Sequence, residues 1–187
     1  MSTVGRIALT IPYSIWLAHP VLQSNFLVAA HSLLSMPRVG VHQIVSSPSP
    51  GHAALAELLR LALLLFMLGI ISKVAGNYEW ELNYSGRIPN LLRAAEVDWS
   101  GLEDLELWVL VLGALHERGH DREWLIARIS QRMENLKLNC RDMVQQFKQI
   151  VWIDEAFGET MVRLEEDWTQ TLEPLYYTTT VATDNNI

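Results

Sequence analysis

The run Leu61–Ile71 (LALLLFMLGII) gives a helix no polar face at all. Bounded by Arg60 and Lys73, it is about half the roughly 20 residues that a bilayer core demands, so it predicts no membrane span. It predicts instead a helix covered by protein on every side, in the middle of a bundle. The pattern begins earlier, because Ala53–Ala75 carries Leu55, Leu58, Leu59 and Ala62 at i, i+3, i+4 and i+7. Leu107–Leu112 (LWVLVL) repeats the all-round apolar character. No long alternating strand pattern or internal repeat accompanies them. The expected fold class is therefore all-α, an irregular helical bundle of about six to seven helices.

The elements between these runs are marked by turn and cap residues. Gly76-Asn77 is a plausible C-cap for the first apolar helix. Ser85–Pro89 reads as a turn, with Pro89 opening a short helix through Ala95. Ser100 is the expected N-cap of Gly101–His116, with Glu103 completing a capping box. Gly119 breaks the chain and Asp121 starts the next helix, Arg122–Leu136, whose Leu125, Ile129, Arg132 and Met133 share a side with Leu136. Asn139 caps a further helix with the stripe Met143, Phe147, Ile150 and Val151. Trp108, Trp124 and Trp152 each fall among apolar residues and are expected in the core.

The domain organisation follows. Residues 1–50 form a poorly defined helical segment, with one or two helices around Pro20, closed by the Pro/Ser linker Val45–Gly51. Residues 51–175 form the main helical domain. Residues 176–187 (YYTTTVATDNNI) have no period and are expected as a frayed, disordered tail. Arg6 followed by Ile7–Ile11 has a faint signal-peptide look, but Pro12 interrupts the run, so secretion is not predicted.

Charge and cysteine content exclude several classes. Up to residue 153 the chain has thirteen basic and thirteen acidic side chains, and beyond it eight acids face one base, Arg163. The net charge of −7 therefore sits in the C-terminal segment, the wrong sign for neutralising phosphates, and no direct nucleic-acid binding is expected. The one cysteine, Cys140, excludes an intramolecular disulfide framework and any Cys-rich zinc module. Arg141 beside it would favour thiolate at an exposed helix start, but no histidine base is near in sequence, so a structural cysteine is expected.

Leu55-Ala56-Glu57-Leu58-Leu59-Arg60-Leu61-Ala62 is similar to the Glu-x-x-Arg-Leu-Ala helix in the helical regulatory region of fungal zinc-cluster transcription factors, and Ile88–Ala95 to the short helix that follows it there. Leu105–Ala114, with Trp108 and Gly113, resembles its Leu-x-Trp-x-Leu-x-x-Gly-Gly-x-Ala helix. Asp121–Ile129, with Trp124 and Ile129, resembles the next helix, and Phe147–Asp154, with Trp152, its Phe-Leu-Trp-x-Asp close. The resemblance covers roughly residues 53–170. It implies a core built on Leu58, Arg60, Trp108, Gly113, Trp124, Ile129, Phe147, Trp152 and Asp154, a nuclear location and a role in transcription regulation. It also implies protein partners, or a second copy of the chain, on apolar helix faces. No catalysis and no cofactor are implied; without the resemblance, cytoplasm serves equally well. The chain departs from the family in lacking the six-cysteine DNA-binding cluster, and residues 1–50 stand where the N-terminal part of the helical region would be. A fragment, a truncated product or a stand-alone module is therefore expected.

The sharpest chemical signal is His116-Glu117-Arg118-Gly119-His120, an H-E-x-x-H. On one continuous helix both imidazoles could share zinc and Glu117 could deprotonate bound water, so a zinc metallopeptidase is the alternative function. Gly119 and Asp121 argue for a break there, Glu123 and Ile126 fail the extended motif, and Asn139 and Cys140 stand where a further glutamate ligand would be sought. A polar inter-helix loop with no metal is the expectation. Arg118, Arg122, Arg128, Arg132, Lys137, Arg141 and Lys148 alternate with Glu117, Asp121, Glu123, Glu134 and Asp142, which predicts a solvated face with local ion pairs. The end from Glu165 to Tyr177 mixes acids with bulky apolar residues, a composition that suits either an activation segment or a helix end. A stand-alone protein-interaction module unrelated to transcription fits the same features.

Overall fold

Every regular element in the computed structural model, which describes residues 20–75 and 85–181, is a helix. In chain order they are α1 (Pro20–Ser35), α2 (Val41–Val45), α3 (Pro50–Ala75), α4 (Arg87–Ala94), α5 (Glu103–His116), α6 (Gly119–Leu136), α7 (Cys140–Ile150) and α8 (Asp154–Val181). The all-α class holds. The described residues contain eight helices rather than six to seven, and the single-turn α2 lies where the sequence shows no helical period. Its Ile44 is fully buried and belongs to the same core as α3 and α4, so the Pro/Ser stretch is a short connection, Ser46–Ser49. Pro20 and Pro50 each open a helix, where the missing N–H needs no partner.

The two helices without a polar face form the hub. α5 packs against α3, α4, α6, α7 and α8, and every residue from Glu106 to Ala114 is buried. α3 packs against α1, α2, α4, α5 and α8. Pro50–Ser72 is 23 residues long and apolar enough to cross a membrane, longer than the run LALLLFMLGII suggested. Yet 67% of its most apolar window is buried inside the bundle. Between α3 and α5 lie Leu58, Leu61, Ala62, Leu65 and Phe66 with Leu107, Trp108 and Leu110, the kind of contact that contributes about 1.5–3 kcal/mol per fully buried large side chain.

A chain of rings extends this core. Phe66 lies 5.3 Å from Phe157, Phe157 lies 5.0 Å from Trp152, and Trp152 lies 5.4 Å from Phe147, joining α3, α8 and α7. Trp108, 1% exposed, donates its indole N–H to the Val151 carbonyl at 3.0 Å and so fixes the α7–α8 link onto α5. Small residues allow the closest approaches. A Cβ at Gly69 would clash with the Phe157 ring, and one at Gly113 would press on Leu125 and Ile88 at 3.2 and 3.3 Å.

Several helix starts differ from their sequence-based expectations. Ser100 does not cap α5: its N–H binds the Asp98 carboxylate at 3.0 Å, the Glu103 carboxylate takes the Gly101 N–H, and the helix starts at Glu103. The two acids hold the turn that precedes the helix. α4 starts at Arg87, behind a left-handed Gly86, with Pro89 inside its first turn. α6 starts at Gly119 rather than after Asp121, which sits in its first turn and favours the positive helix end. Asn139 caps α7 as expected, accepting the Asp142 N–H at 2.9 Å. α8 runs to Val181, past Tyr176, where the sequence loses its period. Gly76-Asn77 and the Arg6–Pro12 segment lie outside the described residues.

Candidate functional site

The HERGH residues do not form one site. His116 ends α5, Glu117 and Arg118 are extended, and α6 begins at Gly119 with φ +56°. The break puts His116 and His120 on different helices, so the i, i+4 geometry of the motif is absent. His116 Nδ1 lies 2.8 Å from the Leu112 carbonyl of its own helix, and His120 is exposed. Glu117 is buried, and its carboxylate accepts from the Ser85 hydroxyl at 2.8 Å and the Gly86 N–H at 2.6 Å. It therefore holds the start of α4, which explains an acid at this position without catalysis. Among the described residues no group of three His, Cys, Asp or Glu side chains is arranged to hold a metal ion.

Cys140 opens α7 half-buried. Burial pushes its thiol up to about 12, and the nearby Glu165 carboxylate adds to the shift. The thiolate that a nucleophile needs is thereby disfavoured.

Four of the basic residues after His116, namely Arg122, Arg128, Arg132 and Lys148, find partners on other elements, not among the neighbouring acids expected to cancel them. Arg122 binds Asp167 of α8 at 2.6 Å and Lys148 binds Asp154 at 2.6 Å. Arg128 and Arg132 of α6 both turn to Glu106 of α5, at 3.4 and 2.5 Å. Glu106 is 3% exposed, an acid at the head of the buried apolar stretch Leu107–Leu112. Arg93 of α4 reaches Asp121 at 2.7 Å. Trp124, expected in the core, is only partly buried, and the Arg93 and Arg128 guanidinium groups lie 4.5 and 5.7 Å from its ring centre. The indole thus acts as a cation–π platform.

Some of these groups line a cleft of about 680 Å³ between the end of α4, the link to α5, and α6. Arg93, Arg128 and Arg132 stand in it with Glu96, Glu103 and Glu106. Backbone hydrogen bonds hold the Glu103 carboxyl below its ordinary value, first from its own N–H and then from Gly101. Asp98 beside the cleft is lowered by its hydrogen bonds from Ser100. Periodicity and motif matching alone missed this cleft. The available signal was the pair of arginines spaced i, i+4 on α6, because Glu106 follows Glu103 and Asp104 closely and does not stand out.

Of the remaining residues that carry the family resemblance, Leu58, Gly113, Ile129, Phe147 and Trp152 are buried in the core. Arg60 is buried too, and forms a two-point pair with Glu57 one turn earlier at 2.5 and 2.7 Å. Asp154 is exposed at the start of α8. Searches with protein families, curated proteins and solved structures gave no match to this chain.

Proposed function

We propose that this chain is a helical regulatory and interaction module of the kind found in fungal zinc-cluster transcription factors. It acts through helix-face contacts with itself, with another factor or with the transcription machinery, and contributes neither catalysis nor direct DNA contact. The observation that carries this reading is the uncovered apolar surface of the N-terminal helices: Val21, Leu27 and Val28 on α1 are 60, 66 and 62% exposed. Leu34 and Val45 add to it. Four large apolar side chains exposed on one helix, Val21, Leu27, Val28 and Leu34, suit a surface where another protein docks. The ordered helices that carry the resemblance support the regulatory context, and with it a nuclear location.

Two measurements test the proposal. The full chain fused to a heterologous DNA-binding domain should change expression of a reporter gene, and Leu27→Asp with Val28→Asp should abolish that change while leaving the helical spectrum intact. An effect unaltered by those substitutions would remove α1 as the contact surface. The peptidase alternative has the break at Glu117–Arg118 against it. One zinc bound per chain and lost in His116→Ala would restore it.

A further inference from the structure

We propose that the cleft between α4 and α6 binds a small oxyanion, the carboxylate or phosphate group of a metabolite, with Arg128 as its main donor. The inference does not depend on the regulatory role. Three guanidinium groups line this cleft with one buried carboxylate: Arg128 and Arg132 share Glu106, while Arg93 is paired with Asp121 and, with Arg128, flanks the Trp124 indole. Glu106 lies nearer Arg132, so Arg128 is left with its longer 3.4 Å contact. That contact occupies one of the five N–H donors of a guanidinium. Its side chain is 35% exposed, hence reachable from the cleft.

Trp99 also lines the cleft and is 5% exposed; its indole N–H is itself buried and has no acceptor among the described residues. A cleft of about 680 Å³ falls in the range of metabolite sites. The flanking Glu96 and Glu103 keep the cleft from being basic as a whole. They select against a polyanion such as nucleic acid and for a ligand with one anionic group that a planar guanidinium can grip.

Calorimetric titration of the full chain with inorganic phosphate, and separately with succinate, at ionic strength held constant with sodium chloride tests this. Saturable one-site binding of either probe is expected, and the stronger of the two identifies the source of the oxyanion. Arg128→Gln should weaken it at least tenfold, and Arg128→Lys should weaken it in the same direction because the planar fork is lost. Arg141→Gln, an exposed arginine on α7, should leave it unchanged. No saturable heat with either probe, or an equal loss in the Arg128 and Arg141 variants, would overturn the proposal.

Discussion

α1 and α5 are both rich in apolar residues, yet they occupy opposite situations. In α5 the apolar stretch Leu107–Leu112 is entirely buried, covered by five other helices. In α1, PVLQSNFLVAAHSLLS has no acidic, lysine or arginine side chain; among its described side chains Phe26, Ala30 and Leu33 face the core while Val21, Leu27 and Val28 face outward. Apolar content alone thus does not assign a helix to the core. The number of neighbours available to cover it does, and α1 packs chiefly against α3. Stability is concentrated in the hub, and the uncovered surface is concentrated at α1.

Substitutions can break or sharpen this contrast. The largest effect is expected from Trp108→Ala in α5, which removes a fully buried indole and its bond to the Val151 carbonyl. A loss of about 3–5 kcal/mol is predicted in urea unfolding, and a loss below 1 kcal/mol would show the hub is not as described. Gly69→Ala is a sharper case, because helix propensity alone would raise stability by about 1 kcal/mol. The clash with Phe157 reverses the sign, and a net cost of about 1–3 kcal/mol is predicted by thermal melting. Glu117→Ala leaves the Gly86 N–H and Ser85 hydroxyl without their acceptor, and should cost about 1–3 kcal/mol in the same assay. At the other end of the contrast, Leu27→Ser on α1 should change stability by less than about 0.5 kcal/mol. The same substitution should weaken self-association or partner binding in light scattering and pull-down with a defined partner. A large stability loss at Leu27 would mean that α1 is covered after all.

The all-α class and the central position of both apolar helices were legible because an apolar run without a polar face admits few solutions. Asn139 was legible for an equally local reason, since its side chain acts within one turn. Ser100 and Asp121 look like caps from sequence but have other partners: the Asp98 carboxylate accepts the Ser100 N–H, and the Arg93 guanidinium of a distant helix donates to Asp121. The arginine pairs were read as local because sequence spacing reveals only neighbours. The partner of Arg128 and Arg132, Glu106, lies 22 residues before Arg128 on another helix and looks from sequence like an ordinary first-turn acid. The H-E-x-x-H match failed for a backbone reason: the extended Glu117–Arg118 pair separates its histidines.

Hydrogen exchange of the full chain, followed by mass spectrometry, tests the contrast between hub and uncovered surface most directly. Peptides from α5 should exchange only through global unfolding, while those from α1 should open locally and exchange far faster. Protection of α1 equal to that of α5 would show that another part of the molecule covers its apolar face, and would contradict the assignment of that face to partner binding.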